Sequence, residues 1–270
     1  MTLLEIIILS IIQGLTEFLP ISSSGHLAIM QTLFERWSNK VTENATLDIL
    51  LHFGTLMATA IYFRRELFDL GRGFFYKARI EGSIFSGYER RILILIVVSL
   101  IPTGIIGLLI EPLFEEMLHS VILVGIMLGI TALSLFLTKF SNPSRGLWEV
   151  RVRDALIVGT VQGLAVIPGL SRSGLTIATA LILGWKREEA FRFSFLISMP
   201  AILGATLLQM IKIDFSNGTM MNYLSGMLLA GIVGYISLFF LRSIIIVKKF
   251  HIFSFYCLAA GAFAIIIALI

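Results

Sequence analysis

Two stretches of this sequence place polar side chains around a proline within otherwise apolar sequence. The first, residues 13–26, reads QGLTEFLPISSSGH, and the second, residues 162–174, reads QGLAVIPGLSRSG. The second begins 149 residues after the first. Six residues of the first stretch are identical to the residues 149 positions later: Gln13, Gly14, Leu15, Ser22, Ser24 and Gly25. Interrupted apolar segments at corresponding places in two halves of a chain are the best sequence indication of a site between repeats.

Glu17 is the acidic residue of the first stretch, and Gln13 lies one helical turn before it. Residues four apart share one face of a helix, so both side chains are predicted to point to the same place. A carboxylate deep in an apolar hairpin is costly and is usually functional. The alternative is a glutamate that reaches water at the mouth of a helix.

A serine run follows Pro20 and comprises Ser22, Ser23 and Ser24, with Gly25 after it. The free N–H groups at the start of a helix, together with the positive end of its dipole, form a seat for an anion. Serines at such a place could instead serve only as helix caps. Because this run lies in a repeated apolar segment, we expect it to bind an anion.

His26 lies within one helical turn of Ser23 and Ser24, close enough to exchange a proton with a bound oxyanion. A single histidine on an apolar helix is more often a packed core residue. Glu17 and the serines nearby favour a catalytic role instead.

The second stretch contributes Arg172, which lies between Ser171 and Ser173 and is followed by Gly174. An arginine stays charged, and its planar fork matches a phosphate or a carboxylate. Within a membrane it requires an anionic partner. That partner is predicted to be either Glu17 or the phosphate of a ligand.

The two stretches differ where chemistry would occur. Val166 stands at the position of Glu17, and Leu175 stands at the position of His26. One half therefore holds the acid, the imidazole and the hydroxyls, and the other holds a fixed cation. This division is typical of a catalytic site with an electrostatic clamp rather than of a symmetric carrier.

A third polar patch opens the first predicted membrane span. Asp48 and His52 are four residues apart and share one helix face. They either support the site or only cap and line the end of the helix, and the sequence leaves both alternatives open.

The composition excludes an ordinary soluble domain. The chain is 57% hydrophobic and 14% charged, whereas soluble domains are about 25% charged. We predict an all-α polytopic membrane protein, with one integral domain over residues 1–270 and repeat halves of about 1–140 and 141–270. Binding to nucleic acid is not expected, because the basic residues flank loops instead of alternating with aromatic residues on one face.

Six stretches are apolar over roughly the 20 residues that a membrane span requires. They cover about 46–63, 92–110, 120–138, 193–211, 222–241 and 250–270. Shorter stretches at 2–19 and 25–34, and at 155–167 and 174–184, flank the two motifs. Irregular backbone within a bilayer must be shielded by protein or water. Each pair is therefore predicted to be a re-entrant helix–loop–helix hairpin.

The basic residues predict the orientation. Segments 64–91, 139–153, 184–192 and 242–249 hold 17 of the 21 lysines and arginines, which places these segments in the cytoplasm. Within the first of them, residues 66–78 have the spacing of an amphipathic helix on the inner membrane surface. Each half then has one hairpin and three spans. Because three crossings is an odd number, the halves are inverted, and their serine loops are predicted to meet near mid-membrane.

These residues together resemble the undecaprenyl-diphosphatase family, whose members also give resistance to bacitracin. The resemblance covers nearly the whole chain and rests on EFLPISSSGH at 17–26, residues 48–62, PGLSRSG at 168–174 and FSFLISMP at 193–200. It implies hydrolysis of undecaprenyl diphosphate to the monophosphate and phosphate, which recycles a lipid carrier for cell-wall glycan synthesis. It also implies a divalent cation (Mg²⁺ or Ca²⁺) and a multi-pass protein of the cell membrane with its site facing the extracytoplasmic side.

The resemblance assigns roles to individual residues. The implied active-site set is Glu17, Ser22, Ser23, Ser24, His26, Ser171, Arg172 and Ser173, with Gln13, Gly25 and Gly174 in contact with substrate. Ser23 is the expected nucleophile, activated by proton transfer to Glu17 or His26, while direct attack by His26 or by water stays open. Glu17 is the expected metal ligand. The family motif begins with Glu or Gln, and because this chain has Gln13, Glu17 must do more.

The main alternative function is a polyprenyl-phosphate flippase or another secondary transporter, since carriers are also built from inverted repeats with broken helices. Release of phosphate without any gradient would separate the enzyme from the carrier. Gly125 and Gly129 form a Gly-x-x-x-Gly pair that could pack helices within the chain or in a homodimer.

Overall fold

The computed structural model describes residues 2–38, 45–75, 85–209 and 220–269. Within these ranges it contains twelve α-helices and no β-strand, as predicted for an all-α membrane protein. In chain order the helices are α1 (Leu3–Thr16), α2 (Ser23–Ser38), α3 (Ala45–Tyr62), α4 (Arg64–Phe75), α5 (Phe85–Ile110), α6 (Phe114–His119), α7 (Val121–Leu137), α8 (Val152–Leu164), α9 (Arg172–Ile182), α10 (Arg187–Gln209), α11 (Met220–Ile246) and α12 (Phe253–Leu269).

Six helices among the described residues are long and apolar enough to cross a membrane, namely α3, α5, α7, α10, α11 and α12. The six predicted spans are therefore confirmed. The helices extend beyond the apolar stretches in three places: α5 begins at Phe85 instead of 92, α10 begins at Arg187 instead of 193, and α11 ends at Ile246 instead of 241. All three extensions carry charged residues, whose long side chains can reach polar headgroups while the backbone stays helical.

Four shorter helices form two hairpins. Helices α1 and α2 flank the first turn (residues 17–22), and α8 and α9 flank the second turn (residues 165–171). Helices α1, α8 and α9 have 14, 13 and 11 residues, which is short of the roughly 20 residues that a span requires. Helix α2 continues to Ser38, past the predicted end at 34.

Each turn contains one residue with a positive φ, at a different place in the two hairpins. In the second turn it is Gly169, with φ of 92°, and in the first turn it is Ser22, with φ of 71°. Pro20 occupies the position equivalent to Gly169, and a proline ring fixes φ near −65°. The left-handed residue of the first turn is therefore Ser22, at a cost of roughly 1–2 kcal/mol. Strained residues of this kind cluster at functional sites.

A glycine lets each hairpin pack closely against a span of the other half. A Cβ on Gly14 of α1 would lie 2.7 Å from the Ala230 carbonyl oxygen of α11, and one on Gly163 of α8 would lie 3.2 Å from the Pro102 carbonyl oxygen of α5. Gly14 and Gly163 are 149 residues apart. The two contacts are therefore equivalent under the repeat.

The two turns touch each other through equivalent residues. A Cβ on Gly25 would lie 3.2 Å from Cα of Gly169, and a Cβ on Gly174 would lie 3.1 Å from Cβ of Pro20. The Ser173 hydroxyl also donates to the Leu19 carbonyl across this contact, at 3.4 Å. These contacts show that the two serine loops meet, as predicted.

The last long helix of each half holds the turn of the other half. Thr131 Oγ1 of α7 donates to the Gly169 carbonyl and accepts from the Ser171 N–H, both at 3.1 Å. Cys257 Sγ of α12 donates to the Pro20 carbonyl at 3.4 Å. Pro20 and Gly169 are equivalent positions, so Cys257 and Thr131 perform the same task in the two halves.

Gly125 is used within the chain. A Cβ on Gly125 of α7 would lie 2.8 Å from the Gly261 carbonyl oxygen of α12, and one on Gly261 would lie 2.7 Å from the Gly125 carbonyl oxygen. Gly129 has no neighbour within 4 Å among the described residues. A homodimer stays a prediction.

Helix α4 covers most of the predicted surface helix at 66–78, whose last residues lie outside the described ranges. Leu70 is buried, while Phe68 is exposed with the Arg72 guanidinium 5.3 Å from its ring centre. A buried apolar side and an exposed side with an aromatic and a cation are typical of a helix at a membrane surface.

Candidate active site

Glu17 lies at the centre of a cluster drawn from both hairpins. Its Oε1 accepts from Nη2 of Arg172 at 2.7 Å, and its Oε2 accepts from the Ser23 hydroxyl at 2.7 Å. Gln13 Nε2 also donates to Oε2, at 3.2 Å. Glu17 is only 8% exposed, so these donors replace the water that its charge has lost. The structure thus brings Ser23 and Arg172 to the same carboxylate.

Arg172 makes only part of the contacts that its fork allows. Its side chain is 15% exposed, and one nitrogen pairs with Glu17. The second nitrogen, Nη1, is buried and has no hydrogen-bond partner in the described structure. The guanidinium carbon lies 5.8 Å from the ring centre of Phe195. The sequence offered Glu17 or a ligand phosphate as the partner, and the structure shows Glu17 as the partner of one nitrogen.

The serines have two different tasks. Ser22 and Ser171 are buried and act as helix caps, accepting from the N–H groups of Gly25 at 3.2 Å and Gly174 at 3.1 Å. Each also lies 3.4 Å from the hydroxyl two residues on, Ser24 or Ser173. The capping alternative therefore describes Ser22 and Ser171. In α2 and α9 the first residue, Ser23 or Arg172, carries the group that contacts Glu17.

His26 bonds to groups other than the Ser23 hydroxyl. Its Nδ1 lies 2.8 Å from the Ser22 carbonyl oxygen, and its Nε2 lies 2.8 Å from the Tyr256 hydroxyl. Both ring nitrogens are thus engaged, and the hydroxyl of Ser23 donates to Glu17 instead. In this arrangement Glu17 is the group placed to take the proton of Ser23.

His52 lies beside the carboxylate and Asp48 lies behind His52. The distance from His52 Nε2 to Glu17 Oε2 is 3.8 Å, which is a charge contact rather than a hydrogen bond. His52 Nδ1 donates to the Asp48 carbonyl at 2.9 Å, and Asp48 Oδ2 accepts from Gln31 at 3.4 Å. His52 therefore faces the site, and Asp48 orients it.

Two residues of the site were not singled out from the sequence. Phe195 lies under Arg172, and Tyr256 contacts His26 from 230 residues away. The indication for Tyr256 was weak, because a tyrosine in an apolar helix is usually an ordinary interfacial residue. Only the packing of α12 against the first turn brings it to the site.

A metal at this site would depend on few ligands. Within the described ranges, no group of three His, Cys, Asp or Glu side chains could hold a metal ion. The amide oxygen of Gln13 is buried and lacks a hydrogen-bond partner there. Glu17 and this oxygen are donors of the kind that Mg²⁺ and Ca²⁺ prefer, so they fit a divalent cation completed by water or substrate oxygens.

The sequence is similar to that of known proteins over nearly its whole length. The sequence model of the bacitracin resistance protein BacA matches residues 6–263. An undecaprenyl-diphosphatase of Halothermothrix orenii is 42% identical over 99% of each chain. Proteins of the same name from Korarchaeum cryptofilum and Methanosphaera stadtmanae are 41% identical over 97% of each chain and 38% identical over 99% of each chain. The protein whose two inverted hairpins meet at Glu17 therefore belongs to the BacA family of bacitracin resistance proteins.

Proposed function

We propose that this chain is an integral membrane phosphatase that hydrolyses undecaprenyl diphosphate to undecaprenyl phosphate and inorganic phosphate. The observation that supports this most directly is the convergence of Ser23 and Arg172 on Glu17, each at 2.7 Å. A nucleophile, a proton acceptor and a cation are the parts that phosphoryl transfer through a covalent intermediate requires. The product would re-enter the lipid-carrier cycle of cell-wall glycan synthesis.

Substrate binding would change the partners of Arg172. The free Nη1 can take an oxygen of the terminal phosphate, and the N–H groups at the start of α2 add further donors. As the phosphate draws the guanidinium toward itself, Glu17 loses part of its compensating charge and becomes a better base. The ion pair of the resting site thus prepares Glu17 for the reaction.

The reaction itself would proceed in two displacements. The Ser23 oxygen attacks the terminal phosphorus while Glu17 takes the hydroxyl proton, and the bond to the bridging oxygen breaks so that the lipid monophosphate leaves. A water molecule then attacks the phosphoserine, the Ser23–phosphorus bond breaks and inorganic phosphate is released. Glu17 returns its proton to Ser23. Arg172 stabilises the charge on the transferring oxygens in both steps.

A divalent cation, Mg²⁺ or Ca²⁺, would neutralise charge on the diphosphate when bound. Glu17 and the Gln13 amide oxygen are the residues that would hold it, and water or the diphosphate would supply the other oxygens.

The orientation and the cellular place follow from the distribution of basic residues. With the four basic segments in the cytoplasm, the first turn is reached from the extracytoplasmic side of the cell membrane. The lipid tail would lie in the bilayer beside the helices while the diphosphate enters the contact between the turns.

Trapping the covalent intermediate tests the proposal. Purified protein in detergent, without any gradient, should release phosphate from polyprenyl diphosphate, and rapid acid quench with labelled substrate should place the label on Ser23. Ser23→Ala should lower turnover by about 10³-fold, whereas Ser134→Ala, on the exposed side of α7, should leave it unchanged. Lipid translocation without phosphate release would favour the carrier instead, and label on His26 would reassign the nucleophile.

A further inference from the structure

The hydrogen bonds of His26 define its protonation pattern. A carbonyl oxygen can only accept, so the 2.8 Å contact to Ser22 requires a proton on Nδ1. In the neutral ring Nε2 is then an acceptor, and the Tyr256 hydroxyl at 2.8 Å is its donor. Tyr256 therefore occupies the one nitrogen of His26 that could otherwise contact a ligand.

Tyr256 holds this position at a seam between α2 and α12 that faces outward. Its side chain is 48% exposed, and its ring lies nearly parallel to that of His26, with 5.6 Å between centres and 9° between planes. The next residue, Cys257, is bonded to the Pro20 carbonyl of the first turn. The hydroxyl is thus located by the same contact that anchors the catalytic turn.

The repeat indicates that the fold does not require an imidazole at this place. His26 corresponds to Leu175. The other half therefore has no counterpart of this histidine, and the acid and the nucleophile are also absent there.

We propose that Tyr256, together with His26, forms the subsite for the lipid-proximal phosphate of the diphosphate, and that Tyr256 is the residue that selects a lipid-linked phosphate there. This inference rests on the proposed phosphatase function. When the terminal phosphate contacts Ser23 and Arg172, the other phosphate must lie on the side of the lipid tail. His26 follows Ser23 by one helical turn on α2, and its Tyr256 partner faces the outer surface of the bundle.

On binding, the Tyr256 hydroxyl would donate to an oxygen of the lipid-proximal phosphate instead of to His26. The freed Nε2 of His26 would then face the same phosphate. No bond to Ser23 or Glu17 changes in this exchange. Loss of the Tyr256 hydroxyl should therefore weaken binding of the lipid phosphate and leave the terminal phosphate subsite intact.

Equilibrium binding of the two reaction products separates the two subsites. With the full chain in nanodiscs, Tyr256→Phe should raise Kd for radiolabelled polyprenyl monophosphate about tenfold, the effect of one hydrogen bond to a charged group. Kd for inorganic phosphate should stay unchanged. In turnover, KM for the diphosphate should rise while kcat changes by less than about twofold. Tyr235→Phe, which removes the same atom from an aromatic cluster on α11, is the matched control and should change neither constant.

Two results would overturn the inference: unchanged binding of polyprenyl monophosphate by Tyr256→Phe, or an equal loss of affinity for the lipid and for inorganic phosphate. Thermal unfolding of each variant checks that the fold is retained. A wild-type chain that binds both products but releases no phosphate from the diphosphate would instead contradict the proposed function. The two failures are thereby distinguished.

Discussion

The two hairpins share one backbone design and differ in chemistry. In both, a serine caps the second helix by accepting from an N–H three residues later, at 3.2 Å for Ser22 and 3.1 Å for Ser171. In both, the first helix packs on a span of the other half through a glycine. Only the first turn has an acid, because Val166 stands at the position of Glu17.

The paired glutamines show what this difference means for equivalent residues. Gln13 donates to Glu17 in the first hairpin. Gln162 donates to Thr103 Oγ1 and to the Ile197 carbonyl, both at 3.3 Å, and so joins the second hairpin to α5 and α10. The same residue at the same place supports a reactive group in one half and only packing in the other.

In this protein a symmetric backbone arrangement forms an asymmetric site. Ser23 and Arg172 are equivalent first residues of α2 and α9, and the contact between the turns aims both at one point. Glu17 lies at that point and bonds each at 2.7 Å. Two side-chain differences, Glu17 against Val166 and Ser23 against Arg172, therefore convert a structural repeat into a candidate catalytic centre.

The strongest test replaces the acid of the first hairpin with the residue found at the equivalent position of the second hairpin. Glu17→Val should lower kcat/KM by about 10⁴-fold, because it removes the proton acceptor and leaves Arg172 without its partner. Phosphate release from polyprenyl diphosphate measures this. Val166→Ala, the equivalent position in the second hairpin, should stay within about twofold of wild type. The comparison fails if Glu17→Val keeps a tenth of the wild-type activity.

Replacing the arginine of the second hairpin with the serine found at the equivalent position of the first hairpin should have the next largest effect. Arg172→Ser should lower kcat/KM by about 10³-fold, the size of losing an electrostatic clamp. Arg172→Lys should fall between, since an ammonium group cannot contact Glu17 and a phosphate through one fork. Arg153→Ser, at an exposed site on α8, is the control. Full turnover by Arg172→Ser would show that the guanidinium is not the clamp.

The anchors of the two turns should give the smallest effects and should differ from each other. Thr131→Val leaves the Gly169 carbonyl and the Ser171 N–H without their partner, so the free energy of unfolding should fall by about 1–3 kcal/mol. Cys257→Ala should cost less, because a thiol is a weak donor. Thermal unfolding in detergent compares the two variants. Equal losses would mean that the anchors contribute through packing rather than hydrogen bonding.

Much of the fold could be predicted from local properties of the sequence. Apolar length is sufficient to locate the six spans, and the charged residues beyond them moved the ends of α5, α10 and α11 appreciably. Pro20 and the serine run predicted the broken helices. The sequence did not predict that the left-handed residue is Ser22 in the first turn but Gly169 in the second. This difference depends on where the proline lies within the turn, and the path of the turn is known only in three dimensions.

The polar members of the candidate site other than Tyr256 were also predicted from residue type, but their pairing was not. The sequence left Glu17 or a phosphate as the partner of Arg172, and Glu17 or His26 as the acceptor from Ser23. Tertiary structure decided both pairings: Arg172 and Ser23 both bond to Glu17, while α12 brings Tyr256 to His26. Composition, periodicity and motif spacing are carried by neighbours in the chain, so the sequence alone determined the helices, the repeat and the reactive side chains. Hydrogen bonds across 155 or 230 residues depend on how helices pack, so only the folded chain determined which of those side chains contact one another.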